Sequence, residues 1–396
     1  MNPFAREVKA CPYPYYAQVR NEGPVRWNPE INAWLVTSYD AVVAVLRDHV
    51  TFSSKNSVFG GPALDHPEFP SMINEDEPKH RQLRSLAASA FTPKTIDALW
   101  EPRIRMLTNE LLDAVEGKAA FEVIADLAFP LPVTVIAEII GVESERFVDF
   151  KGWSDEIAKQ IGRYDAPPPP DDYEITEPRD LGPLFEYFVA TVADRRENPR
   201  DDLVTRLVRA EIEGQRLTDF EVMSFLVLLM VAGNETTTNL IGTAIRGLVT
   251  HPAQVAAMRE RPELISGLVE EALRWDAPIQ GFYRRATRDA DLAGVSIRQG
   301  DALLVLYAAA NWDPAAFGCP EDFEIERGRR DHVSFGLGNH FCLGANLARL
   351  EARIALQEVI RRFDDLRPID DFEESWRDTP FFRGMEEYSL HFRLRS

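Results

Sequence analysis

Phe335-Gly336-Leu337-Gly338-Asn339-His340-Phe341-Cys342-Leu343-Gly344 is the stretch of this 396-residue chain on which its fold turns. Three glycines let the backbone turn tightly and approach a flat ligand closely. Cys342 follows the first two of them and opens an amphipathic helix over residues 343–363, along which lie Arg349, Arg353, Arg361 and Arg362. A cysteine at a helix N-terminus has its thiolate stabilised by the helix dipole and by N–H···S contacts. Such a thiolate can serve as an anionic metal ligand. A lone cysteine in a glycine-rich loop would ordinarily be a buried free thiol. Here the flanking residues decide otherwise: from the chain's own composition, Phe335, Gly336, Gly338, His340, Cys342 and Gly344 arise together by chance with a probability of about 5 × 10⁻⁷.

Composition sets the outer limits. Lys and Arg number 44 against 64 Asp and Glu, a formal net charge of −20, so nucleic acid and anionic membrane surfaces are poor partners. With 45% hydrophobic residues the chain can bury a large core. The three cysteines, Cys11, Cys319 and Cys342, suggest neither a disulfide framework nor a zinc site. No apolar leader opens the sequence, and the longest apolar run, 225–233, is about half the roughly 20 residues that span a bilayer. A cytoplasmic protein is expected.

Helical periodicity dominates the chain. Residues 99–115 place Leu99, Ile104, Leu107, Leu111, Leu112 and Val115 on one stripe, and 203–208 is a shorter piece of the same kind. Thr218-Asp219-Phe220-Glu221 is a capping box, and no proline follows until Pro252, which predicts a helix of about 30 residues, or about 45 Å. Its centre, 225–231, is apolar on every side and therefore buried. Strand signals sit at 34–37, 292–297 and 302–306. The expectation is a mainly α protein with a minor β region from about 1–60 and 280–310, the rest α-rich. Residues 166–183, with six prolines, read as a surface loop or a lid between two helices.

The 335–344 loop resembles the haem-binding signature of the cytochrome P450 superfamily, the haem-thiolate monooxygenases, and the run of sequence is most like its soluble bacterial members. The resemblance implies that fold, with a long central helix crossing the molecule, a proximal cysteine loop and a single domain over 1–396. It implies haem b (iron protoporphyrin IX), held by the loop residues Phe335, Gly336 and Gly344, with Cys342 as the axial ligand to iron. A thiolate there pushes electron density to favour O–O cleavage.

Four more stretches agree in order. Glu271-Ala272-Leu273-Arg274 puts an acid and a base at i, i+3, which alone would be a surface pair. It resembles the family's E-x-x-R, whose buried pair braces the haem loop. The Arg that normally completes the network is missing from Pro320-Glu321-Asp322-Phe323, leaving Arg327 as a substitute. Within the long helix, Ala232-Gly233-Asn234-Glu235-Thr236-Thr237 interrupts an apolar run with residues that weaken a helix. It is similar to the family's oxygen-activation motif. Reduction of dioxygen consumes protons, so Thr236 is expected to hydrogen-bond it while Glu235 relays protons from solvent. His80 and Arg84 at i, i+4, together with Arg284 and His340, match the family's contacts to the haem propionates. Buried carboxylates need such partners.

By the same analogy the substrate pocket is built from the loop 57–73 with Phe59 and Phe69, the Pro-rich stretch, Leu228, Val231 and Ala232, Ile279 and Phe282, and Phe381 and Phe382. Mainly apolar walls suit a lipophilic small molecule of fatty acid, terpenoid or steroid type. No flavin or iron–sulfur module is visible, so electrons are expected from a separate ferredoxin or flavodoxin-like protein with its NAD(P)H reductase, and O2 is the second substrate. Lys79, Arg81, Arg349 and Arg353 would form a basic face for an acidic donor on a monomer. Two other readings are a haem-thiolate peroxygenase or isomerase, against which Glu235-Thr236 argues, and a non-enzymatic haem sensor, for which no residues are left to form an output domain.

Overall fold

The computed structural model describes residues 1–55, 71–88, 91–160, 181–200, 202–212, 214–328 and 331–395. Its axis is a 32-residue helix, Asp219–Thr250, which starts where the capping box predicts. The Glu221 N–H donates to Thr218 Oγ1 at 3.2 Å, and Glu221 Oε2 accepts from the Thr218 N–H at 2.9 Å. Two orphan N–H groups are thereby satisfied at the start of the helix. This helix is long and apolar enough to cross a membrane, yet 72% of its apolar window is buried inside the protein. Helices Pro130–Ile140, Phe147–Gln160, Gly182–Glu197, Ile265–Trp275 and Ala345–Arg362 pack around it.

The helix at 99–115 is observed as Pro93–Glu116, with Thr92 capping it through the Thr95 N–H at 3.2 Å and Pro93 in the first turn. The helix after Cys342 begins at Ala345 rather than Leu343, so the cysteine sits in the loop before it. Close packing on the Glu271 helix needs glycine. A Cβ on Gly267 would lie 2.2 Å from the Ile325 carbonyl oxygen, so only a bare backbone fits between this helix and the segment ahead of the cysteine loop.

The β region draws on the two expected stretches. Val25–Asn28, Ala33–Val36, Ala302–Val305, Phe282–Ala286 and Phe52–Ser53 form one sheet in that order. Ala33–Val36 runs parallel to Ala302–Val305, with Leu35 opposite Leu304, which binds the start of the chain to its later third. Two features depart from the sequence reading. The 1–60 part also carries the helices Arg6–Ala10, Pro12–Glu22 and Tyr39–Arg47. A second sheet joins Phe363–Pro368, Ser389–Leu394 and Phe121–Glu122 inside the part read as α-rich. Its strands are short, and their pairing is long-range rather than a hairpin, so no turn signal marks them. Residues 166–180 of the Pro-rich stretch lie outside the described residues, and Pro183 sits in the first turn of the helix Gly182–Glu197.

Candidate functional site

Between the central helix and the cysteine loop lies a cavity of about 1520 Å³, counting the solvent-open space at its mouth. Its floor is the 335–344 loop. The Cys342 N–H donates to the Phe335 carbonyl at 2.8 Å, and the Gly336 N–H donates to the Val333 carbonyl at 2.8 Å. Gly336 and Gly338 hold φ of +68° and +67°, a left-handed conformation that favours glycine. A Cβ on Gly338 would also lie 2.7 Å from the Leu46 carbonyl oxygen.

Cys342 lines the cavity and has accessible surface. Burial pushes its thiol up, and the N–H groups of Gly344 and Ala345, with Arg84 and Arg349, pull it back toward the thiolate. The sulfur is therefore surrounded by what an anionic ligand needs.

His80, Arg84, Arg284 and His340 reach the same cavity from four separate segments. Arg284 projects from the strand Phe282–Ala286, is buried, and donates to the Tyr283 carbonyl at 2.7 Å. Arg84 donates to the Phe341 carbonyl at 2.7 Å. Among the described residues, neither guanidinium has a carboxylate within 4.0 Å. The rings of His80 and His340 lie 4.1 Å apart. Burial, with His80, Arg284 and Arg84 nearby, drives the His340 imidazole down to about 3. Two guanidiniums that face a cavity without a carboxylate of their own suit an anionic ligand there. The donor set, the thiol and the cavity size fit a flat macrocycle with two carboxylates and a metal that takes one sulfur ligand.

Glu271 and Arg274 lie beside the loop without lining the cavity. Both are buried, and Arg274 binds Glu271 through Nε at 2.9 Å and Nη2 at 2.7 Å. The missing third member is supplied by Arg327, whose Nε donates to Glu271 Oε1 at 3.2 Å.

On the roof, Leu228, Val231, Ala232 and Thr236 face the cavity, with Ile279, Phe282 and Phe382 on a side wall. The Thr236 hydroxyl donates to the Ala232 carbonyl at 2.6 Å, a mid-helix back-bond. Glu235 is not in the cavity wall. Its carboxylate is buried on another side of the helix, where Arg377 Nη1 donates to it at 3.0 Å and Asn239 Nδ2 at 3.4 Å. Phe381 also points away, packed edge-on against Phe4 and Phe282 at 5.7 Å each. Of the 57–73 loop, Met72 and Ile73 line the cavity, whereas Phe59 and Phe69 lie outside the described residues.

Sequence reasoning missed two groups. Arg377 carries no local signal, because it meets Glu235 across 142 positions. Glu270 stood unnoticed beside Glu271, yet it accepts from Arg349 Nε at 2.6 Å and Nη2 at 2.8 Å, and from His332 Nε2 at 3.1 Å. Those contacts hold its carboxyl down to about 2 despite burial.

The family model for cytochrome P450 matches residues 26–378. The chain belongs to the cytochrome P450 family. Among its relatives, the biotin biosynthesis cytochrome P450 of Bacillus subtilis is 37% identical over 96% of either chain. Two solved structures superpose with TM-scores of 0.88. CYP109E1 from Bacillus megaterium in complex with testosterone is 36% identical, covering 98% of this chain and 99% of that one. P450BioI in complex with an acyl carrier protein bearing hexadec-9-enoic acid is 35% identical, with the same coverage. As a P450 of the bacterial type, the protein is a monooxygenase that uses haem b and O2 and receives electrons from a separate redox partner.

Proposed function

We propose that residues 1–396 act as one haem-thiolate domain in which Cys342 is the axial ligand to haem iron. The carrying observation is the convergence of the Cys342 sulfur with Arg84, Arg284, His80 and His340 on one cavity, opposite Thr236. When bound, the haem supplies oxygen activation and electron storage. The protein residues do the rest. Phe335, Gly336 and Gly344 shape the surface against which the ring lies. Arg84 and Arg284 would pair with its propionates, with His80 and His340 beside them, and these charges would offset what the buried carboxylates otherwise cost.

Thr236 presents its hydroxyl to the reacting oxygen, and Glu235 holds the proton store behind it. Because Glu235 is clamped by Arg377 and Asn239, moving a proton from it to Thr236 requires that clamp to loosen or a water to join the two. Leu228, Val231, Ala232, Ile279, Phe282 and Phe382 exclude bulk water and hold an apolar substrate over the ring. We assign Phe381 to packing behind Phe282.

The substrate class we propose is lipophilic and elongated, of the fatty acid, terpenoid or steroid kind. The apolar walls support it, as do relatives solved with testosterone and with a fatty acyl chain. Titrating palmitoleic acid and testosterone into the ferric protein is expected to move the Soret band from low to high spin with at least one of them. No shift with either would remove the proposed class.

For the electron donor we propose an acidic ferredoxin, with the enzyme acting as a cytoplasmic monomer. Two of the four cations expected at the docking face are committed elsewhere: Lys79 pairs with Glu221, and Arg349 with Glu270. Among the described residues, Arg81, with 78% of its side chain exposed, and Arg353, with 36%, are held only by long pairs, at 3.9 Å to Glu77 and to Glu101. Arg84, one turn on from Arg81, binds the Phe341 carbonyl and so ties this helix to the cysteine loop. The double variant Arg81→Glu/Arg353→Glu is expected to slow ferredoxin-driven reduction at low salt by about tenfold and to flatten its salt dependence. Unchanged kinetics would remove this face from the docking site.

A further inference from the structure

The cysteine loop is held by a second ionic cluster, separate from Glu271 and Arg274 and with no part in the mechanism above. Arg349 lies seven residues beyond Cys342, and its guanidinium carbon stands 4.4 Å from the centre of the Phe335 ring. The Phe335 carbonyl in turn accepts the Cys342 N–H. Arg349 and Arg84 both draw the Cys342 thiol toward the thiolate. Their surroundings differ. Arg84 would be neutralised by a propionate, whereas Arg349 is neutralised by the protein itself, through both oxygens of Glu270.

Glu270 is buried and fixed from a third direction. His332 Nε2 donates to its Oε2 at 3.1 Å, while His332 Nδ1 accepts the Ser334 N–H at 3.3 Å, which sets the imidazole as the Nε2–H tautomer. Ser334 in turn donates to the Leu273 carbonyl at 2.6 Å. The cluster thus spans the helix Ile265–Trp275, the strand of loop before the cysteine, and the helix after it.

We propose that Glu270 is a positioning residue that, by neutralising Arg349, sets the charge felt at the Cys342 sulfur and through it the reduction potential of the haem iron. The inference rests on Cys342 being the axial ligand. Reduction from Fe(III) to Fe(II) takes one electron from the redox partner and adds one negative charge beside the sulfur. An uncompensated guanidinium there favours the reduced state, and an uncompensated carboxylate disfavours it. The pair therefore holds the potential between two extremes, and each partner alone would push it in an opposite direction.

The test is a spectroelectrochemical titration of the haem-loaded protein. Glu270→Gln is expected to raise the Fe(III)/Fe(II) potential by a factor of about ten in the reduction equilibrium, about 59 mV for one electron. Arg349→Gln is expected to lower it by a similar amount, and the double variant to return close to the unsubstituted protein. Arg349→Lys, which keeps the charge, is expected to stay near it as well. The ferrous–CO spectrum of every variant should keep the position seen in the unsubstituted protein. A merely structural clamp would move both single variants in the same direction, or would move Arg349→Lys as far as Arg349→Gln, and either result overturns the proposal. An unsubstituted protein without a thiolate-type ferrous–CO band would instead overturn the assignment of Cys342, and the two failures are told apart by that spectrum.

Discussion

Arg274→Ala is expected to prevent accumulation of folded, haem-loaded protein. Arg274 spends all five of its N–H groups: two on Glu271, and one each on the carbonyls of Asn311, Pro320 and Asp322. Its side chain is 1% exposed, so no water replaces it. Removal leaves the Glu271 carboxylate buried with, among the described residues, Arg327 and the Glu324 N–H, and it orphans the Asn311 and Pro320 carbonyls, while Asp322 keeps Arg327 Nη2 at 3.0 Å. Breaking a buried pair costs about 3–5 kcal/mol, and each orphaned acceptor about 1–3 kcal/mol more. Against a total stability of about 5–15 kcal/mol this is decisive. Thermal melts followed by circular dichroism, with the haem-to-protein absorbance ratio, should show a melting point lowered by roughly 10 °C or more, or no folded protein. Arg274→Lys should fail nearly as badly, because an ammonium cannot serve five acceptors placed for a planar fork. A variant with full haem and an unmoved melting point would show that the pair is dispensable.

The second large effect concerns proton supply. Thr236→Ala removes the one hydroxyl of the Glu235-Thr236 pair that reaches the cavity, while the helix keeps its backbone bonds. Electron consumption should continue, but product formed per NAD(P)H should fall by about tenfold, with the electrons recovered as hydrogen peroxide. Thr236→Ser should restore most of the coupling. Glu235→Gln should slow turnover itself, by about 10²-fold, the low end of what a positioned general acid contributes. It also leaves Arg377 facing a neutral amide, so Arg377→Leu/Glu235→Gln should be no slower than Glu235→Gln alone. Intact coupling in Thr236→Ala, measured as the ratio of product to NAD(P)H, would take Thr236 out of the proton path.

The parts of the molecule that local rules govern were legible from the residues. Thr218 and Glu221 cap the central helix because three positions separate them, and Glu271 meets Arg274 for the same reason. The glycines of the cysteine loop mark themselves, since φ near +68° suits little else. The sites that long-range packing builds were not legible. Glu235 reads as a cavity residue because it adjoins Thr236, but one step along a helix turns a side chain by about 100°, and Arg377 waits on that other side. Phe381 and Phe382 divide in the same way: Phe382 faces the cavity, and Phe381 packs behind Phe282. Arg349 reads as a solvent-facing cation on an amphipathic helix until Glu270, 79 residues earlier, is brought against it. The strands Phe363–Pro368 and Ser389–Leu394 find each other across some twenty intervening residues, with no turn to announce the pairing.

Every step depends on Cys342 reaching iron as a thiolate. The most direct measurement is the absorption spectrum of the ferrous–CO form of the unsubstituted protein and of Cys342→Ala. A strongly red-shifted Soret band in the former and its absence in the latter is the expected result. An unshifted band in the unsubstituted protein, or a red-shifted band that survives in Cys342→Ala, would contradict the account.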